Sequence, residues 1–398
     1  MDWNGLTQNL INMSNNPQKK NKSDIWFNRF LWFTALNVLA LLGLGGLVTS
    51  KGVGMAVPDW PTTFGYNMFL LPWDKWVMGG GVFEEHSHRV FASWIGLLTL
   101  GVGGGLAFLD PRKWVRRLGY LAIFLVILQG VLGGLRVRLM RDEIGVFHAA
   151  LAQVFLCLMV GLAWVRTRAF EKRSQSLMSS NVSRLGSGLL WALTGMIFLQ
   201  LILGAVMRHQ HAGLAVPDFP KAYGSWAWPA TDEETVRSIN EEQWITGEAS
   251  GASITGFQIN VHMSHRVGAI LVTLLALWTA CRLWRWSARD EQNSNRLQAS
   301  ALLSLLALQI ALGAGTIWTR KSADVATFHM LTGAILLVTS FLISIQHTQC
   351  LVKVFGFASQ SKGNESERLK SPGSNAKSRE RVIAETKPVG KEQQEVTT

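Results

Sequence analysis

Charge is scarce in this sequence. Only 16% of its 398 residues are Asp, Glu, Lys or Arg, against about a quarter in soluble globular domains, which argues against a water-soluble fold. Cysteine is scarcer still, with Cys157, Cys281 and Cys350 alone. None of the three falls in a segment expected to face an oxidising compartment, which excludes a disulfide scaffold. A cleavable leader is not expected either. Residues 1–26 are mostly polar, and the apolar run that follows is too long for a signal h-region. That run is expected to stay as a membrane span. The tail, 348–398, has little apolar content and reads as a disordered extension.

Apolar residues are abundant instead. They make up 48% of the chain, with 38 glycines and 17 tryptophans, two residue types favoured in membrane proteins. Eight stretches approach or exceed the ~20 residues needed to cross a bilayer: 27–50, 86–109, 117–139, 145–166, 186–207, 258–283, 297–318 and 325–347. The expected fold is an all-α polytopic membrane protein of eight transmembrane helices. Arg112, Lys113, Arg116 and Arg117 crowd one connection, Arg166, Arg168, Lys172, Arg173 and Arg184 a second, and Arg282, Arg285, Arg289 and Arg296 a third. By the positive-inside rule these connections are cytoplasmic. The segment 208–257 has three basic residues against seven acidic ones and is expected outside. Both termini are then cytoplasmic. The net charge of +12 is spread over inner loops and tail, which fits membrane topology and anionic lipid rather than nucleic acid.

The chain is an internal repeat. "VTSKGVGMAVPDWPTTFG" at 48–65 returns as "VMRHQHAGLAVPDFPKAYG" at 206–224, and "LQGVLGGLRVR" at 128–138 returns as "LQIALGAGTIWTR" at 308–320. A period this long is a duplication, not a solenoid, with both halves in the same orientation if each holds an even number of spans. The expected organisation is an N-terminal segment at 1–26, a four-helix bundle at 27–166, a linker at 167–185, a second bundle at 186–347 carrying the outer loop 208–257, and the tail.

Four histidines sit at matching places in the two halves: His88 and His148, then His265 and His329. The first pair is 60 residues apart and the second 64. Imidazole within a membrane is costly without a partner. A duplicated pair near the outer ends of helices is what two-ligand haem sites between helices require. His86, His209 and His211 read more simply as solvated residues in or beside outer loops. His209 and His211 would otherwise form a His-x-His pair able to hold a metal such as copper. His347 falls at an inner helix end.

Residues beside the histidines break the symmetry. Glu85 and Glu84 precede His88 by three and four residues, on the same helix face. Glu85 reads either as a first-turn acid that suits the helix dipole or as a proton handler beside a haem ligand. The second half has His262 at the matching position, so the carboxylate belongs to the first half alone. Arg89 and Arg266 follow their histidines and are candidate partners for haem propionates, or simple snorkelling arginines. The "AVPDWP" and "AVPDFP" loops read as rigid lids over each half, or as plain turns.

"EEHSHR", "IGVFHAAL", "VHMSHRVGAI" and "ATFHMLTGAILL", set on eight spans with "VPDWP" and "VPDFP" loops, resemble the haem A synthase family over residues 27–347. The resemblance implies two pseudo-symmetric four-helix bundles. It implies a haem b held by His265 and His329, a haem O substrate site at His88 and His148, and Glu85 as the catalytic acid. The implied reaction oxidises a ring methyl of haem O to a formyl group by successive O2-dependent hydroxylations. Lacking an outer cysteine pair, the chain resembles the cysteine-poor branch typical of many bacteria and of mitochondria. Expected partners are haem O, the haem O synthase that supplies it, an electron donor such as ferredoxin, and membrane lipid. A homo-oligomer is compatible, and the expected location is the bacterial inner membrane. Two rivals stay open from the residues alone: a dihaem electron-transfer cytochrome and a haem exporter or chaperone.

Overall fold

The computed structural model describes residues 22–170, 187–245, 253–287 and 294–348. Most of the N-terminal segment, most of the linker 167–185, part of the loop 208–257, Cys350 and the tail therefore lie outside the described residues. Eight helices are long and apolar enough to cross a membrane: α1 Lys22–Ser50, α2 Val82–Leu109, α3 Lys113–Leu139, α4 Asp142–Val165, α5 Ser187–His209, α6 Gly256–Ser287, α7 Ser294–Trp318 and α8 Ala323–His347. The chain is a multi-pass membrane protein, and all eight predicted spans are present.

Each helix carries a run of apolar side chains that lipid tolerates all round and satisfies its own backbone, as a bilayer demands. Most helices begin a few residues earlier than hydropathy predicts, because polar residues form the first turn. In α1 that turn includes Asp24, whose carboxylate meets Arg166 at 3.1 Å.

The packing repeats. In the first half α1 lies against α2, α2 against α3, α3 against α4, and α4 against α1. In the second half α5, α6, α7 and α8 close the same ring. The rings meet through α1 on α8, α4 on α5, and α4 on α8. Repeat equivalence turns the first of these contacts into the second. Leu31, Leu106, Leu156, Met159 and Leu162 are among the fully buried side chains of the first core, and Leu190, Leu193, Leu283, Leu302 and Leu337 of the second. Small residues let the helices approach. A Cβ at Gly103 would overlap Ile123, and one at Gly43 would stand 3.3 Å from Leu331 across the α1–α8 contact.

The two ends of the molecule differ. At one end Asp110, between α2 and α3, is clasped by Arg112 at 2.8 Å and Arg166 at 2.5 Å. Burial opposes ionisation of Asp110, but the hydrogen bonds and charges of the two arginines hold its carboxyl below the ordinary range. The opposite end carries the VPDWP and VPDFP loops and is called the loop end below. Its longer connection contains a further helix, Glu233–Ile245, which sequence periodicity alone did not suggest. Asn240 on that helix accepts from the Ile254 N–H at 2.7 Å and donates to the Ile254 carbonyl at 2.9 Å.

Candidate functional site

His88, His148, His265 and His329 all lie within the first turns of helices that start at the loop end: α2, α4, α6 and α8. Each ring is partly buried and abuts a glycine of a neighbouring helix. A Cβ at Gly45 of α1 would stand 2.9 Å from His88 Cε1, and one at Gly133 of α3 would stand 3.5 Å from His148 Cε1. In the second half a Cβ at Gly204 of α5 would stand 3.2 Å from His265 Cε1, and one at Gly313 of α7 would stand 3.0 Å from His329 Cε1. Aligning the VPDWP and VPDFP loops puts Gly45 on Gly204. Aligning the two "LQ" segments puts Gly133 on Gly313. The repeat therefore keeps four ring cradles as well as four rings.

The His265 and His329 rings face each other at 6.5 Å between centres, with their planes 72° apart. His329 Nδ1 lies 3.1 Å from the Gln309 carbonyl. The Gln200 amide contacts the His265 carbonyl at 2.8 Å and its Nδ1 at 3.1 Å. In the first half Gln129, the match of Gln309, donates to the His148 carbonyl at 3.1 Å. Nδ1 of His88 and of His148 is buried without a hydrogen-bond partner. The ring-orienting contacts are thus stronger in the second half.

Glu85 is buried at 3% exposure. One carboxylate oxygen accepts from the Val57 N–H at 2.9 Å, and the other from Arg89 Nη2 at 2.7 Å. In the second half the Val216 N–H donates to Nδ1 of His262 at 3.2 Å. Val57 and Val216 are equivalent, so Glu85 and His262 clasp the same amide of the same loop with different chemistry. Arg89 donates to the carbonyls of Val57 and Asp59 at 2.7 and 2.6 Å. Arg266 donates to those of Val216, Asp218 and Lys221 at 3.0, 2.6 and 2.8 Å. Both guanidiniums are loop clamps in this structure.

The loops themselves are alike. Asp59 accepts from Thr62 Oγ1 at 2.5 Å, Phe64 N–H at 2.7 Å and Gly65 N–H at 2.9 Å. Asp218 accepts from Tyr223 and Gly224 N–H at 2.8 and 2.9 Å. Burial works against the Asp59 charge, yet its hydrogen bonds hold the carboxyl below its usual value. Burial and Asp218 push the Tyr223 phenol up to about 12, and that hydroxyl donates to the Ala215 carbonyl. Trp60 wedges against Gly134 of α3, one residue from the glycine that meets His148. Both loops are thus tied internally by their aspartates and stand at the loop end, beside the helices that carry the histidine pairs.

Two of the lesser histidines are not where composition placed them. His86 is fully buried, with Nδ1 3.2 Å from Thr63 Oγ1 and its ring edge-on to Trp76 at 4.5 Å. His209 is also buried, packed on Gly145 with Asp142 at 3.9 Å. Both sit at helix ends, where hydropathy falls although the loops cover the chain. His211 is exposed. Among the described residues no group of three or more His, Cys, Asp or Glu side chains is placed to hold a metal ion alone. Among the described residues Cys157 and Cys281 are free.

The comparisons agree with this frame. Residues 80–341 match the model of the COX15-CtaA family, described as cytochrome oxidase assembly protein. Among curated relatives, the haem A synthase of Shewanella oneidensis is 24% identical over 80% of this chain and 95% of its own length. That of Symbiobacterium thermophilum is 29% identical over 71% of this chain and 82% of its own. That of Novosphingobium aromaticivorans is 26% identical over 82% of this chain and 97% of its own. With the family model covering well over half of the sequence, the chain belongs to the COX15-CtaA family of cytochrome oxidase assembly proteins.

Proposed function

We propose that this protein is a membrane oxidoreductase that converts haem O to haem A, the activity in the names of its relatives. On this reading residues 27–166 form the substrate half and 186–347 the half that keeps a haem b. Both termini are cytoplasmic, in a bacterial inner membrane, and the loop end faces outward.

The observation that carries the reading is the second histidine pair. His265 and His329 would hold one haem iron between their rings. The ring centres stand 6.5 Å apart, with glycines clearing space behind both rings. The residues present therefore fit a bis-histidine haem. Such a haem, when bound, supplies a one-electron relay with no open iron position. The Gln309 carbonyl, 3.1 Å from His329 Nδ1, favours a proton on Nδ1, which leaves Nε2, 3.5 Å from the Gln309 amide nitrogen, as the atom that would ligate.

In the first half His88 and His148 bind the substrate haem O by its iron. The lid carrying Trp60 covers that site and excludes water. Each hydroxylation of the ring methyl takes one O2, two electrons and two protons, and releases one water. The first gives an alcohol and the second a geminal diol, which loses water to leave the formyl group. Electrons come from a donor such as ferredoxin. Glu85 is the acid that handles protons beside the substrate. It holds the lid amide of Val57 and the Arg89 guanidinium at once. His262 gives the second half a lid clasp without that carboxylate. This asymmetry separates the enzyme from a dihaem electron carrier or an exporter, neither of which needs two differing sites.

The test is to express the full chain with a source of haem O and identify the extracted haems by chromatography. Haem A that depends on this chain and on O2 supports the assignment. Unchanged haem O, in protein that carries its own haem, refutes it.

A further inference from the structure

The connection between α1 and α2 carries the VPDWP loop and then runs on through residues 66–83, where Asp74 and Lys75 are the only charged residues. Within that stretch Leu70 is 75% exposed, Trp73 65% and Phe69 63%, and Tyr66, Val77, Met78 and Phe83 are exposed as well. So many large apolar side chains open on one stretch of surface mark a contact with something other than water. The stretch is held from behind. It forms a 3-10 turn, Met68–Leu70, and a one-turn helix, Trp73–Trp76, and both pack on α2. Leu71, between the two, is buried. The Trp76 ring stands edge-on to buried His86 at 4.5 Å, and its Nε1 donates to Ser87 Oγ at 3.3 Å. Asn67 Oδ1 accepts from the Phe69 N–H at 3.0 Å. The outward side chains are therefore displayed by a fixed backbone.

This surface runs into the lipid-facing side of the bundle. Phe83 lies in the first turn of α2, and exposed Trp94 and Leu97 follow on the same side of that helix, about three and four turns further along. Gly79, Gly80 and Gly81, at φ +92°, +61° and +85°, turn the chain from the displayed stretch into α2, a conformation that glycine adopts without strain. The second half departs from this pattern. Trp226 and Trp228 are exposed at the corresponding place, but Asp232, Glu233, Glu234, Arg237, Glu241 and Glu242 follow them. The helix Glu233–Ile245 therefore presents charge, which suits water, where the first half presents apolar side chains.

We propose that residues 66–83 are seated in the bilayer surface at the loop end, with Phe69, Leu70, Trp73, Val77 and Met78 among lipid headgroups and upper acyl chains. Tryptophan is favoured at that depth because its ring is apolar and its N–H polar. The partner is lipid rather than another protein because the displayed stretch continues the side of α2 that faces lipid. The acidic helix of the second half stays in water. The VPDWP loop is thereby joined to the bilayer on one side and to Glu85 and Arg89 on the other, so the two halves meet the membrane surface differently. The proposal is independent of the haem assignment and of which side of the membrane the loop end faces.

The experiment uses the full-length protein in phosphatidylcholine nanodiscs, with Cys157, Cys281 and Cys350 replaced by alanine and a single spin label at position 70, 73, 94 or 238. Relaxation by O2, which concentrates in lipid, is compared with relaxation by a water-soluble nickel chelate. Labels at 70 and 73 should favour O2 severalfold, as the label at lipid-facing position 94 does. The label at 238, an exposed position of the acidic helix, should favour the chelate. In the otherwise unaltered chain, benzoylphenylalanine in place of Trp73 should cross-link to phospholipid on illumination, read as a mass increment of one lipid. That second measurement stands even if the cysteine-free chain does not fold. Labels at 70 and 73 that behave like the one at 238 overturn the proposal. So do labels shielded from both agents, or a cross-link from position 73 to a second copy or to another protein.

Discussion

Adding a single methyl group behind each histidine should separate the four cradles by distance. Gly→Ala within a helix ordinarily gains about 1 kcal/mol of helix propensity. Against this, overpacking a tight site costs about 1–3 kcal/mol. At Gly133 the new Cβ would lie 3.5 Å from the His148 ring, an ordinary contact, so the propensity gain should stand. At Gly45 it would lie 2.9 Å from the His88 ring, so the ring must move by several tenths of an ångström or the helices must part. The expected result is that Gly133→Ala is neutral or stabilising, and Gly45→Ala is destabilising by up to about 2 kcal/mol, the difference of the two magnitudes. Gly45→Ala should also weaken haem O binding, because the displaced ring no longer points at the iron. Gly313→Ala, at 3.0 Å from His329, should disturb the resident spectrum instead. Thermal midpoints in detergent and titration with haem O read both effects. Equal midpoints and equal haem O affinities for Gly45→Ala and Gly133→Ala would show that the glycines do not set ring position.

Glu85→Gln should keep the fold and the resident haem but slow conversion by about 10²–10⁴-fold, so extracted haems shift to haem O or the alcohol; normal haem A would reduce Glu85 to a lid clasp, and Glu84→Gln, whose acid pairs with Lys51 at 2.7 Å, should be milder. His265→Ala or His329→Ala should remove the low-spin haem spectrum, and a normal spectrum in the double variant would contradict the assignment. Asp110→Asn should destabilise by about 3–5 kcal/mol, since it leaves Arg112 and Arg166 facing a neutral amide. Because the folded Asp110 carboxyl sits below its unfolded value of 3.8, its contribution is full above that pH and is lost as pH falls through the lower folded value, which acid unfolding of wild type against variant would detect. Cysteines placed at 230 and 390 should label from outside and inside respectively; external labelling at 390 would invert the topology.

Much of this was legible without coordinates, for physical reasons that can be named. A span announces itself because lipid tolerates little charge, so all eight helices could be read from hydropathy. The four repeated histidines stood out because duplication repeats a costly residue at one depth. The glycines behind them lay in the same aligned segments, as Gly45 on Gly204 and Gly133 on Gly313, but glycine is so common in membrane helices that none drew notice. Burial of His86 and His209 could not be read, because hydropathy reports lipid contact and not cover by a loop. The lid contacts of Glu85, Arg89 and Arg266 join residues about 30–50 positions apart, and a helical period carries no sign of them.

Two consecutive glycines of α1 look in opposite directions. A Cβ at Gly45 would press on the His88 ring of the first half, while one at Gly46 would overlap Met330, the neighbour of His329, and Gly46 lends its carbonyl to Arg208 of the second. A Ser50–Thr327 hydrogen bond of 3.2 Å ties the same stretch to α8. This stretch of α1 backbone therefore stands between the surroundings of His88 in the first half and of His329 in the second; on the proposed function it separates the two haem sites. If occupancy of one site shifts that stretch, the affinity of the other changes by some factor. Thermodynamic linkage then requires the same factor in reverse. Binding at the His265–His329 pair and binding at the His88–His148 pair would then be one equilibrium problem.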